Sequence, residues 1–213
     1  MIVLLHGLGV GPRYLRRLAR ELGDEDEILL PRRRVASPIP ELARNLAREV
    51  AEPSLVVANS MGCQTAVELA VQRPELVEGL VLVGPTVDPA ARSVGRQAAR
   101  LAVDAWYEPP SLLGIIATDY LAFGPVQFVR ELRYTLRHRI EELLPHVRCR
   151  AAVVRGSRDP LCPAGWAREA ARLLPQGTLT TIAGAAHAAH FSHAAEVADA
   201  VRRLRRETRA TAR

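Results

Sequence analysis

Short runs rich in apolar residues recur along this chain at 2–5, 28–30, 55–57, 77–83, 151–154 and 178–182, and helical hydrophobic patterns lie between them. That alternation constrains the fold more than any other feature. Strands apolar on both faces must be covered on both faces, and helical crossovers between them impose parallel pairing. Within residues 12–22, Leu15, Leu18 and Leu22 share one face, and Gly23 follows as a stop. Leu42, Leu46 and Val50 repeat the pattern across residues 40–51. The expectation is an α/β protein with a parallel sheet between two helical layers.

The segment Ala58-Asn59-Ser60-Met61-Gly62 joins the third run to residues 63–71, which read as a helix. Small residues two before and two after a Ser suit a strand-to-helix turn so sharp that larger side chains would collide. Such a turn lifts the hydroxyl above the sheet, over the free N–H groups of the following helix. Taken alone, the segment also describes an ordinary strand-to-helix turn with Ser near the cap. A nucleophilic Ser needs a base, and the base needs a carboxylate to hold its tautomer. After the 151–154 run comes Arg155-Gly156-Ser157-Arg158-Asp159-Pro160, and after the 178–182 run comes Ala183-Gly184-Ala185-Ala186-His187. Ser60, Asp159 and His187 thus follow three strand ends in the chain order Ser, acid, His. Asp88 is an alternative acid, and His190 an alternative base. His193 is expected to flank the last helix, and His138 and His146 are isolated. The spacing of His187, His190 and His193 matches no familiar metal-ligand interval, so no metal is expected.

The opening segment Ile2-Val3-Leu4-Leu5-His6-Gly7-Leu8-Gly9, together with the Ser60 turn and the Asp and His loops, resembles the α/β-hydrolase fold over nearly the whole chain. The resemblance implies an oxyanion hole built from the backbone N–H groups of Leu8 and Met61, with His6 supporting the loop. The chain departs from the family pattern in two ways. Ala58 stands where Gly is commoner. The antiparallel strand pair that usually precedes the His-Gly strand is not seen ahead of it. Either the sheet is shorter, with about six parallel strands and residues 28–30 at an edge, or the chain continues before Met1. Arg32, Arg33 and Arg34 beside that edge would discourage pairing with another sheet.

Residues 85–147 break the alternation with helical patterns and no convincing strand. The resemblance makes them a helical cap, leaving 1–84 and 148–213 as the hydrolase core of a single domain. Trp106, Tyr107, Tyr120, Phe123, Phe128 and Tyr134 are six of the chain's nine aromatic residues, and all lie in this stretch. Some of them would pack cap helices together. The candidates for a substrate pocket are His6, Trp106, Tyr107, Tyr120, Phe123 and Phe128.

All 29 basic residues are Arg, and the net charge is +6. They are spread through the helices among Glu residues, which argues against a nucleic-acid surface. Only Arg202-Arg203-Leu204-Arg205-Arg206 forms a block, late in a helix where cations suit the C-terminus. No segment is long and apolar enough to span a bilayer, and no signal peptide is visible, so a cytoplasmic protein is expected. Cys63, Cys149 and Cys162 are scattered and argue against a disulfide framework. The implied activity is a cofactor-free serine hydrolase cleaving a small, largely apolar carboxylic ester through an acyl-enzyme. Carbon–carbon, lactone or thioester cleavage, acyl transfer and perhydrolysis remain open with the same triad. So does a ligand-binding receptor or scaffold with little turnover.

Overall fold

The computed structural model describes residues 1–23, 27–33 and 35–211. Strands β1 (Ile2–Leu5), β2 (Ile28–Leu29), β3 (Ser54–Asn59), β4 (Val77–Val83), β5 (Arg150–Gly156) and β6 (Gly177–Ile182) form one sheet. Its order is β2-β1-β3-β4-β5-β6, and every pairing is parallel. The expected edge position of the second run is observed, with β2 only two residues long.

Both faces of the sheet are covered, and the cover follows the two-residue period of the strands. Val3, Leu5, Val56, Ala58, Leu80, Leu82, Ala151 and Val153 pack against helices α1 (Ile39–Glu49), α2 (Met61–Gln72) and α3 (Ala164–Leu173). Their neighbours Ile2, Leu4, Leu55, Val57, Val81, Val83, Ala152 and Val154 face the other way. There they meet α4 (Arg16–Leu22) and α5 (Ala194–Thr211) through Leu18, Leu22, Val197, Val201 and Leu204. Each buried Val, Leu or Ile contributes roughly 1.5–3 kcal/mol. A one-residue slip of any central strand would exchange these two sets and expose them to the wrong layer.

Between β4 and β5 lie α6 (Val94–Tyr107), α7 (Pro110–Phe123), α8 (Pro125–Arg137) and α9 (Ile140–Leu143), with no strand among the described residues. Ile140, Leu144 and Val147 are buried in the cluster under α2, so the end of this segment returns to the core. Helices α6, α7 and α8 instead lie over the carboxyl edge of the sheet and keep an apolar outer surface: Trp106 is 87% and Leu121 83% exposed. A last short helix, α10 (Ala189–Ser192), precedes α5. Among the described residues, no single helix is long and apolar enough to cross a membrane.

Because all strands run the same way, their carboxyl ends share one rim. Ser60 follows β3, Gly84 follows β4, Asp159 lies just past β5, and His187 lies just past β6. Parallel α/β sheets place ligands at this rim.

Candidate active site

Ser60 joins β3 to α2 with φ 57° and ψ −124°. It is the one non-glycine residue with positive φ among the described residues, a conformation that costs on the order of 1–3 kcal/mol. Its surroundings hold it there. The Ser60 N–H donates to Val83 O at 3.0 Å. Asn59 Nδ2 donates to Val83 O at 3.1 Å and to His187 O at 3.3 Å, while Asn59 Oδ1 accepts from the Tyr14 hydroxyl at 3.1 Å. A Cβ at position 62 would lie 2.7 Å from Leu5 O, so only Gly lets α2 start directly against β1.

Asp159 and His187 form a buried pair. Asp159 Oδ2 accepts from His187 Nδ1 at 2.9 Å, and Oδ1 accepts from the N–H groups of Leu161 at 2.8 Å and Cys162 at 2.9 Å. Burial alone would raise the Asp159 pKa, but His187 and these two donors bring it below its ordinary value. Burial alone would lower the His187 pKa, but Asp159, Asp104 and Glu108 together raise it to about 9. With Nδ1 committed to Asp159, the remaining nitrogen is Nε2, which has no hydrogen-bond partner among the described residues. Gly84, at φ 57°, makes room for the pair. A Cβ there would lie 2.9 Å from His187 Cε1 and Nδ1 and 3.0 Å from Asp159 Oδ2.

Ser60 and His187 line one cavity of about 80 Å³, together with Leu8, Met61, Thr86, Asp104, Glu108 and Tyr120. Ser60 Oγ lies 3.5 Å from Thr86 Oγ1. The two carboxylates come from the helical segment. Asp104 Oδ1 accepts from the His187 N–H at 3.0 Å, and Glu108 Oε1 accepts from the Ala188 N–H at 2.6 Å. Burial raises both carboxyls, that of Glu108 to about 7.

The loop carrying Leu8 is held by a buried ion pair. Glu131 Oε2 accepts from the Gly9 N–H at 2.8 Å, and Glu131 Oε1 lies 2.9 Å from Arg33 Nε. Arg33 also donates to Gly7 O at 2.6 Å. This corrects the expectation that Arg33 guards the sheet edge, since its guanidinium turns inward to bind loop carbonyls. Arg32 is exposed, and Arg34 lies outside the described residues.

Neither the alternative acid nor the alternative base lines the Ser60 cavity. Asp88 accepts from the Ala90 N–H at 2.9 Å and pairs with Arg100 at 2.8 Å. His190 is fully buried against Tyr14, with ring centroids 4.4 Å apart, and is not among the residues lining the cavity. Burial and then His187 lower its pKa to about 3. His193 stands between α10 and α5, as a flanking residue should, and His138 binds Glu68 Oε1 at 2.9 Å.

Of the six expected pocket residues, only Tyr120 lines the Ser60 cavity. His6 is buried on the other side of its strand end, where burial and Arg33 lower its pKa to about 3. Trp106 and Tyr107 point to solvent, because α6 turns Asp104 and Glu108 inward instead. Phe128 packs on Tyr120 at 4.7 Å, behind the cavity wall, and Phe123 is half-buried outside it. Sequence reasoning missed Asp104, Glu108, Asn59, Tyr14 and Gly84. Asp104 lies on α6 and Glu108 immediately follows its end, and their four-residue spacing, the spacing of one helical face, was the one signal available for them. A groove of about 540 Å³ passes His6, Arg33, Asn45 and Thr65 but is lined by none of Ser60, Asp159 and His187. No group of three His, Cys, Asp or Glu residues among those described is arranged to hold a metal ion.

Residues 2–200 match the model of the alpha/beta hydrolase family. No curated protein sequence matches the chain significantly. Solved structures do. A thermophilic esterase from Thermogutta terrifontis is 20% identical with a TM-score of 0.80, over 97% of this chain and 89% of its own. The enol-lactonase from Burkholderia xenovorans LB400 is 18% identical with a TM-score of 0.77, over 95% and 90%. A hydrolase from Oleispira antarctica is 12% identical with a TM-score of 0.82, over 96% and 90%. At these identities the likeness is one of fold.

Proposed function

The chain belongs to the alpha/beta hydrolase family, and we propose that it is a serine hydrolase of small carboxylic esters, with Ser60 as nucleophile, His187 as base and Asp159 orienting it. One observation carries this reading. A strained Ser shares a cavity with a His that is bonded to Asp159 at 2.9 Å, and the ring nitrogen left over by that bond has no other partner among the described residues.

In the proposed reaction, His187 Nε2 takes the Ser60 proton as Oγ attacks the ester carbonyl. The backbone N–H groups of Leu8 and Met61 receive the developing oxyanion, a type of contact worth about two to three decades in turnover. His187 then protonates the departing alcohol, and water activated by the same imidazole releases the acid from the acyl-enzyme. Asp159 stabilises the imidazolium without taking its proton. Helices α6, α7 and α8 serve as the cap and supply most of the opposite wall, including Gln97, Leu112, Ile116 and Leu132. The names of the esterase and the enol-lactonase favour an ester or lactone bond over carbon–carbon cleavage.

Turnover of 4-nitrophenyl acetate tests the assignment. Ser60→Ala and His187→Ala should each lose at least about three decades of kcat/KM, while His190→Ala stays active. A dead His190→Ala with an active His187→Ala would overturn the base, and an undiminished Ser60→Ala would overturn the nucleophile.

A further inference from the structure

The cavity beside Ser60 is acidic, although the protein is basic. The chain carries 29 Arg and a net charge of +6, yet no Arg is among the residues lining this cavity, whereas Asp104 and Glu108 both are. Glu108 is 6% exposed. Its Oε1 is occupied by the Ala188 N–H, and its enclosed Oε2 has no partner among the described residues. A buried carboxylate oxygen needs a donor or a positive charge nearby. Two neighbouring donors are engaged with other partners, the Tyr14 hydroxyl with Asn59 and His187 Nδ1 with Asp159, while His187 Nε2 is the atom that the proposed reaction uses on Ser60. Holding the His187 loop does not require charge either, because the carbonyl oxygen of a neutral amide can accept the same backbone N–H.

Resting on the serine-hydrolase reading of the same site, we propose that Asp104 and Glu108 form an anionic subsite selecting small esters that carry a protonated amine. The ammonium donates to Glu108 Oε2 and lies in the field of Asp104, while the ester carbonyl meets Ser60. Asp104 on α6, His187 past β6, Asp159 past β5 and Tyr14 before α4 all act electrostatically on or from Glu108. Burial raises the Glu108 carboxyl to about 7, and a neighbouring ammonium favours its carboxylate form. The volume of about 80 Å³ is far below the roughly 300–1,000 Å³ of drug-sized sites, which favours small esters.

Two pairs of near-isosteric esters at pH 7 test this. 2-(Dimethylamino)ethyl acetate against 3-methylbutyl acetate places the amine on the alcohol side. Ethyl dimethylglycinate against ethyl 3-methylbutanoate places it on the acyl side. At least one amine should be preferred in kcat/KM by about tenfold or more, the effect of one charge-assisted hydrogen bond. In Glu108→Gln, which keeps an acceptor for the Ala188 N–H, that ratio should fall to near one. A ratio near one for both pairs in the wild type, or a preference that survives in Glu108→Gln, overturns the proposal. Binding is read separately by NMR titration of the wild-type protein with 2-(dimethylamino)ethanol and 3-methylbutan-1-ol, the amine being expected to bind about tenfold tighter. Equal affinities, or no binding of the amine, also overturn it. Amine binding without turnover of any ester leaves the subsite standing and removes the hydrolase reading. Ester turnover without amine preference does the reverse.

Discussion

Replacing Gly84 by Ala probes how tightly the proposed catalytic pair is packed. The added methyl would lie 2.9 Å from two atoms of the His187 ring and 3.0 Å from Asp159 Oδ2. Ordinary contact begins near 3.4 Å, so the ring, the carboxylate or the backbone must yield by about half an ångström. Two costs add. A non-glycine residue at positive φ loses about 1–2 kcal/mol, and overpacking a dense site loses about 1–3 kcal/mol. The total, on the order of 2–5 kcal/mol, is within reach of a domain stable by about 5–15 kcal/mol, so the variant should fold. Its Tm should fall by roughly 4–20 °C. Activity should suffer more than folding, since a 1 Å misplacement of a reacting group costs about a hundredfold. Half that displacement predicts a kcat/KM loss of about tenfold or more on a short 4-nitrophenyl ester. Thermal denaturation and steady-state kinetics on the same preparation measure both. A Gly84→Ala protein with wild-type kcat/KM would refute the reasoning, because the pair would then not be held where its packing says it is.

Further predictions follow from the same geometry. Burial lowers the His187 pKa, but three carboxylates outweigh it and raise it from 6.5 to about 9; a base acts only when neutral, so kcat/KM should rise with pH towards about 9, and a midpoint below 7 would contradict this. The same shift contributes stability that is complete below pH 6.5 and lost as pH climbs through about 9, which Tm against pH will show. His190, lowered to about 3 chiefly by burial, contributes in the opposite direction, with stability present above its ordinary pKa and lost as pH falls. His190→Phe should therefore keep the proposed esterase activity and lose less Tm between pH 7 and pH 5 than the wild type. Glu131→Ala removes the counter-charge of Arg33 and frees the Gly9 N–H; denaturant titration should show a loss of about 3–5 kcal/mol, and kcat should fall more than KM changes as the Leu8 loop loosens.

The fold was legible because burial on both faces leaves a signature in single strands. Residues 55–57, 77–83 and 151–154 have few alternatives to a doubly covered parallel sheet, and they became β3, β4 and β5. The rim could be read for the same reason, since Ser60, Asp159 and His187 each follow a strand whose direction is set by its crossover. The cavity wall could not be read. The face that α6 turns inward depends on the helix's rotation over the rim, and composition favoured Trp106 and Tyr107 over the acidic pair that takes the position. Arg33 misled for a similar reason. Beside a two-residue edge strand it resembles a solvated guard, and only the tertiary approach of Glu131 on α8 draws it inward. Nothing in the sequence marks Gly84, because the His187 ring that lies against its missing Cβ comes from a loop about a hundred residues further on.

The most direct test of the central claim is labelling with a fluorophosphonate, followed by mass spectrometry of the digested protein. A single adduct on the Ser60 peptide, absent from Ser60→Ala and slowed at least a thousandfold or so in His187→Ala, is the predicted result. Equal labelling of wild type and Ser60→Ala, or an adduct on any other residue, would contradict it.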